Sequence, residues 1–159
     1  MSTVLSLEER LGLIGRAFPV WVAVMTKGVI EEYGDEGRQV ITEALENQAL
    51  IDGPALVRQR EPESDMRGII GTWRTISQMW GNMESSLREL SATRAVIRIT
   101  RCPLAEQWKK VDAPPEMCEI WDSYGITLLK AIHPDLKIRR LSTIYHGDPY
   151  CEEVWELVG

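Results

Sequence analysis

The spacing of the apolar residues changes near residue 92, and this change constrains the fold more than any other feature of the chain. Between residues 7 and 90 apolar residues recur every three or four positions, which predicts helices with one apolar face. Between residues 93 and 101 apolar and polar residues alternate, which predicts a half-buried strand. We therefore predict an α+β fold of one domain, residues 1–159, in which a helical part (1–91) packs on a small sheet (92–159).

Helix breakers and one cap divide the helical part. Pro19 lies inside the first apolar pattern and predicts a kink or a break. Gly34-Asp35 predicts the end of one helix and the cap of the next, and Gly53-Pro54 predicts another interruption. Asp65 is placed to cap a last helix, whose apolar stripe continues over residues 66–90.

The sheet part is predicted to have the order β-α-α-β-β. The predicted elements are a strand over 93–101, helices over 103–110 and from 114 to about 132, and strands over 136–145 and 150–158. If the first two strands form a right-handed parallel crossover, their carboxyl ends lie side by side. Cys102 would then lie near His146 and Cys151, although the sequence separates them widely.

Composition excludes several classes of protein. A hydrophobic content of 44% and a charged content of 26% are typical of a globular protein, and a net charge of −6 argues against non-specific binding to nucleic acid. No uninterrupted apolar run reaches the roughly 18 residues needed to cross a bilayer. The first residues lack the pattern of a secretory signal, and the number of cysteines is odd. We therefore expect reduced thiols, a cytoplasmic location and no membrane partner.

The first helix is more apolar than a single core-facing stripe requires. Residues 11–25 are apolar around much of the circumference, and they include Trp21 and the run Val22-Ala23-Val24-Met25. Such a helix is expected to be buried against another subunit, so we predict a homo-oligomer formed through the N-terminal helices.

All the cysteines and histidines of the chain follow residue 101. Thiols and imidazoles attack electrophilic carbons, transfer protons or bind metals, so chemistry is expected in this part. The cysteine spacing lacks the short C-x₂₋₄-C pairs of structural zinc sites, so no metal is expected. Dinucleotide, phosphate-loop and common hydrolase motifs are also missing, and no cofactor is predicted.

Several motifs of the chain resemble those of one family. They are Arg101-Cys102-Pro103 at a strand end, Cys118 with Asp122 on one helix face, Pro134 before a strand, the turn Gly147-Asp148-x-x-Cys151, and Tyr33-Gly34-Asp35-Glu36 near the N-terminus. In these features the chain resembles the L-2-amino-thiazoline-4-carboxylic acid hydrolase family. The residues after Cys151, Glu152-Glu153-Val154-Trp155, depart from the family's usual acidic, aromatic and basic order.

The resemblance implies hydrolysis of a carbon–nitrogen or carbon–sulfur bond in a small cyclic amidine-like substrate, of the 2-aminothiazoline-4-carboxylate type. In such a reaction a thiolate adds to the amidine carbon, a carboxylate holds the amidinium and an imidazole moves protons. The candidate catalytic residues are Cys151, Cys102, Asp122, His146 and Cys118. The candidate substrate-binding residues are Arg101, Arg139, Trp73, Trp80 and Trp121.

Each candidate has a purely structural alternative. A lone cysteine is often a small buried apolar residue, and tryptophans at helical spacing usually form a core. Of the four arginines on or near the strands, Arg98, Arg101, Arg139 and Arg140, each is either surface charge or a clamp for a substrate carboxylate. A non-catalytic small-molecule-binding module and a biosynthetic cyclase or lyase on the same scaffold are the alternative functions.

Overall fold

The computed structural model describes residues 5–57, 65–79, 81 and 83–158. The helices are α1 (Leu7–Val57), α2 (Met66–Met79), α3 (Pro103–Lys110) and α4 (Met117–Ile132). The strands are β1 (Glu84–Leu90), β2 (Arg94–Arg101), β3 (Leu136–Ser142) and β4 (Cys151–Leu157), and a 3₁₀ turn over Ile144–His146 joins β3 to β4. The predicted α+β class, with a helical first half and a sheet in the second, is confirmed.

The four strands form one antiparallel sheet in the order β1-β2-β4-β3. β2 and β3 run in the same direction, but they are not neighbours because β4 lies between them. The conditional side-by-side pairing of these two strands is therefore wrong. The cysteines still meet, since Ile99 near the end of β2 is paired with Cys151 at the start of β4, and Cys102 follows β2 directly.

The predicted last helix is too long. Asp65 caps α2 as expected, because its Oδ1 accepts hydrogen bonds from the backbone N–H of Arg67 and Gly68, both at 3.1 Å. The helix ends at Met79, and Gly81 follows with a φ of 101°, which favours glycine. The chain then forms β1, which pairs with β2 and adds a strand that the β-α-α-β-β order lacked.

α1 is long and is broken at only one of the predicted positions. Gly34 has non-helical backbone angles, φ 58° and ψ −135°, so the predicted break at this glycine is confirmed. The helix continues through Pro19 and Pro54, so the interruption predicted at Gly53-Pro54 is wrong, and of the kink or break predicted at Pro19 the break is wrong. Next to Pro54, Gly53 lets the backbones of α1 and α4 approach closely. A Cβ on Gly53 would lie only 2.9 Å from the carbonyl oxygen of Leu128.

The core lies between the helices and one face of the sheet. Its main cluster contains buried residues from α1, α2, α4 and the strands, among them Ala49, Met66, Ile69, Ile97, Leu128 and Trp155. A smaller cluster joins α1 to α3 and α4 and contains Ala23, Leu104, Trp108 and Met117. Cys102 packs against both clusters, so it marks the place where they meet.

One described helix is long and apolar enough to cross a membrane, by length and composition alone. An 18-residue window within Leu7–Leu56 has a mean hydropathy of 1.4, and 17% of it is buried in the protein. Arg16 and Lys27 interrupt the apolar residues of this helix, so no uninterrupted apolar run in it is long enough to cross a bilayer. An average hydropathy over 18 residues tolerates such charges and is therefore a less strict criterion.

Candidate functional site

A cavity of about 100 Å³ lies between α2, α4 and the sheet. All three cysteines line it, although they come from different elements. Cys102 precedes α3, Cys118 lies in the first turn of α4, and Cys151 begins β4. The antiparallel pairing of β2 with β4 and the packing of α4 over the sheet therefore bring the three thiols to one place.

Aromatic side chains form much of the cavity wall. Trp73, Trp108, Trp121, Tyr124 and Trp155 line it. Two pairs of these rings make edge-to-face contacts, with centroids 5.9 Å apart for Trp73 and Trp155 and 6.1 Å apart for Trp108 and Trp121. The predicted aromatic residues Trp73 and Trp121 thus lie at the cavity, whereas Trp80 lies outside the described residues.

A charged cluster closes one side of the cavity. The Arg140 guanidinium on β3 forms ion pairs with Asp122 of α4 and Glu153 of β4. Glu153 is 7% exposed, and its Oε2 also accepts a hydrogen bond of 3.0 Å from Trp155 Nε1. Burial has the largest single effect and lowers the pKa of Arg140, but the charge of Glu153, its hydrogen bond and the neighbouring thiols Cys118 and Cys151 together raise the pKa above its ordinary value. With both carboxylates ionised, the three residues together carry one excess negative charge.

Cys118 is the cysteine in contact with this cluster. Arg140 Nη1 donates to its Sγ at 3.3 Å, and the Sγ lies 3.9 Å from Asp122 Oδ2 and 3.6 Å from Thr143 Oγ1. Burial raises the pKa of the Cys118 thiol, while Arg140 and the hydrogen bond with Thr143 act in the opposite direction. Cys118 therefore has a cation that favours a thiolate and a carboxylate that can accept its proton.

The other two cysteines have different surroundings. Cys151 is 6% exposed, its Sγ accepts the backbone N–H of Ile144 at 3.3 Å, and it lies 3.8 Å from Thr143 Oγ1. Cys102 occupies the N-cap position of α3. Burial raises the pKa of its thiol, and the backbone N–H of Ala105 opposes this only in part. Neither thiol has a hydrogen bond with a charged side chain among the described residues.

Comparison with known families identifies the chain. The sequence profile of the L-2-amino-thiazoline-4-carboxylic acid hydrolase family matches residues 14–155. The chain belongs to this family. The resemblance drawn from the cysteine motifs is thereby confirmed over most of the chain. A search of curated proteins found no significant match.

Solved structures share the fold of this family member. One is the phenol-responsive sensory domain of the transcription activator PoxR with phenol, which superposes with a TM-score of 0.64. The match covers 87% of this chain and 74% of that chain at 12% sequence identity. At this identity the likeness shows a common fold.

The remaining predicted residues lie away from the cavity of this thiazoline-carboxylate hydrolase family member. His146 is exposed, and its Nε2 lies 3.0 Å from the carbonyl oxygen of Pro115 and 3.3 Å from Glu119 Oε1. It lines an open groove on the other side of the charged cluster. Arg101 pairs with Glu106 at the surface, and Arg139 is exposed.

Arg140 and Glu153 belong to the site but were not among the predicted site residues. Strand alternation contains the signal that finds them. Leu136, Ile138 and Arg140 occupy one face of β3, and Cys151, Glu153 and Trp155 occupy one face of β4. Arg139, one residue away, has the opposite phase and faces solvent.

Trp108, one of the residues that line the cavity, carries a buried polar atom without a partner in the described part of the chain. Trp108 is 2% exposed, and its Nε1 has no hydrogen-bond acceptor among the residues that the structure describes. Buried N–H groups are nearly always paired, so this donor is an exception within the described part of the chain.

Proposed function

We propose that this cavity is the active site of a hydrolase that opens a small cyclic amidine-like substrate of the 2-aminothiazoline-4-carboxylate type. The observation that carries the proposal is the placement of the Cys118 thiol between Arg140 and Asp122 in an aromatic cavity. Membership of the hydrolase family supports the reaction class. Pockets that bind small molecules are mostly apolar and aromatic and carry few polar groups, and this cavity has the same character, which supports a small-molecule substrate.

Cys118 is the proposed nucleophile, in preference to Cys151 and Cys102. Asp122 accepts the thiol proton, and the thiolate, stabilised by Arg140, adds to the amidine carbon of the substrate. The ring carbon–sulfur bond breaks, and its sulfur takes the proton from Asp122. Water then adds to the same carbon, the bond to Cys118 breaks, and the thiol is regenerated. The net change is the addition of one water to give a carbamoyl-cysteine.

The charges of the site suit a cationic amidinium. Asp122 and Glu153 exceed the single guanidinium of Arg140 by one negative charge, so an amidinium is attracted to this wall. His146 is proposed to exchange protons with solvent through the adjoining groove.

The test is mass spectrometry of 2-aminothiazoline-4-carboxylate after incubation with the purified protein. The wild type should add one water to the substrate, and Cys118→Ala should lose turnover by a factor of about 10³ or more. Cys102→Ala and Cys151→Ala serve as matched controls, because they remove thiols from the same cavity without removing a contact to Arg140 or Asp122. Full turnover by a folded Cys118→Ala protein would exclude the thiol mechanism.

A non-catalytic small-molecule-binding module is the second candidate. It is favoured by the raised pKa of two of the thiols, which leaves little thiolate at neutral pH, and by the fold shared with a phenol-responsive sensory domain. A small ring compound that binds with one-to-one stoichiometry and is recovered unchanged would support this function. Because all three cysteines are free thiols, we place either activity in a reducing compartment, the cytoplasm.

A further inference from the structure

The first half of α1 carries an exposed apolar stripe with a regular spacing. The stripe consists of Leu7, Leu11, Ile14, Phe18, Trp21 and Met25, separated alternately by four and three residues. We call these six residues the N-terminal seam. Phe18 is 38% exposed, and the other five are each between 59% and 68% exposed.

The spacing is that of a helix built to pair with another helix. Alternate steps of four and three repeat every seven residues, which is the pattern of the contact positions in a coiled coil. A helix that packs on a globular core usually presents a broader stripe to that core. Here the core-facing side is a different one, because the buried residues of this part of α1 are Pro19, Ala23 and Thr26.

The start of α1 projects from the rest of the domain. Every residue from 7 to 16 is exposed except Gly12, which is partly buried. Isolated helices are marginally stable in water, and a projecting helix with apolar residues gains stability when a second helix covers them. The same turns carry Glu8, Glu9, Arg10 and Arg16, whose charges would be costly in a bilayer but remain in water beside a coiled coil.

We propose that the N-terminal seam binds the N-terminal seam of a second copy of this chain, so that the two α1 helices form a coiled-coil dimer. A second copy supplies a helix with the identical repeat. The exposed apolar surface of the seam is on the order of 700 Å² per protomer, close to the ~800 Å² per partner of a standard interface. Phe18 connects the seam to the cavity wall, since its ring lies 6.1 Å from that of Trp121.

Sedimentation equilibrium of the full chain, whose mass is 18.1 kDa, tests the proposal. The wild type should sediment as a dimer at micromolar concentration. The double variant Ile14→Glu/Trp21→Glu should raise the dissociation constant about a hundredfold or more, because it places charges in the seam. Ile14→Leu/Trp21→Phe should remain dimeric. Leu141→Glu is the matched control, since Leu141 is a 51% exposed leucine on β3, and it should also remain dimeric.

Cross-linking keeps the test independent of whether the charged variant folds. A bismaleimide should join the Leu11→Cys protein into dimers far more efficiently than it joins the wild type or a Leu141→Cys protein. A wild type that stays monomeric at about 100 μM overturns the proposal, because a standard interface gives tighter binding. Monomers that float with phosphatidylcholine vesicles would instead identify a membrane as the occupant and would also overturn it. Dimers that persist in Ile14→Glu/Trp21→Glu overturn it as well.

Discussion

Trp108 combines nearly complete burial with an indole N–H that lacks an acceptor among the described residues. If a substrate supplies this acceptor, Trp108→Phe removes one hydrogen bond to the ligand while the ring still lines the cavity. We expect the affinity for 2-aminothiazoline-4-carboxylate to fall about tenfold, as for a typical buried hydrogen bond. Isothermal titration calorimetry in a Cys118→Ala background measures this affinity without turnover.

The ligand-free protein provides the contrast. Because the N–H has no acceptor among the described residues, its loss removes no internal hydrogen bond there, and we expect the melting temperature of Trp108→Phe to fall only by the packing that the smaller ring loses. Trp21→Phe is the control, since Trp21 is exposed on α1 and does not line the cavity. Equal affinities for the parent and Trp108→Phe would show that the indole N–H does not contact the ligand.

At the scale of residues, the sequence located the thiols and Asp122 but did not single out Arg140 or Glu153. Residue type and motif singled out Cys118 and Asp122, and the structure places them in contact. Arg140 was not chosen over Arg139, because a run of adjacent arginines does not show which one faces inward until the strand phase is known. Glu153 was missed for a related reason, because the sequence alone does not show that this carboxylate is buried beside a cation.

At the scale of elements, one ambiguity misled the prediction of β1. A step of four residues keeps side chains on one face in both a helix and a strand. Met83, just before β1, and Leu87 in β1 have this spacing and are partly buried against the core. Leu90 follows Leu87 by three residues, a step that keeps two side chains on one face only in a helix, and Leu90 is 37% exposed. Pairing with β2 and the glycine turn at Gly81 decided the structure, and neither depends on local spacing.

The close packing of α1 on α4 gives a prediction at the same scale. Alanine favours helices over glycine by about 1 kcal/mol, but at Gly53 a Cβ would lie 2.9 Å from the Leu128 carbonyl oxygen and 3.0 Å from Ala131 Cβ. We expect overpacking to dominate, so that Gly53→Ala lowers the free energy of unfolding by roughly 1–3 kcal/mol. Urea unfolding followed by circular dichroism measures it.

Gly71 in α2 is the matched control for Gly53. A Cβ there would meet no atom within 4 Å, so Gly71→Ala should raise the stability by about 0.5–1 kcal/mol through helix propensity alone. If Gly53→Ala stabilises the protein as much as Gly71→Ala does, the approach of α1 to α4 is looser than described.

At the scale of the whole molecule, Arg140 joins the helical layer to the sheet. Its guanidinium bridges Asp122 on α4 and Glu153 on β4, which are far apart in the sequence. Arg140→Met keeps an apolar stem of similar size but leaves two carboxylates without their cation. We expect a loss of about 3–5 kcal/mol in the free energy of unfolding at pH 7, because breaking a buried pair strands an uncompensated charge.

The pH dependence and a neighbouring residue distinguish this electrostatic effect from lost packing. Without Arg140 the buried negative charge of Glu153 has no cation beside it, so the folded variant is destabilised most where this carboxylate is ionised. The stability deficit of Arg140→Met should therefore shrink as the pH is lowered from 7 to 5 and grow again as it rises. Arg139→Met removes an exposed guanidinium from the adjacent position of β3 and should change stability by less than about 0.5 kcal/mol. A deficit of constant size across this pH range would mean that Arg140 stabilises the molecule by packing alone.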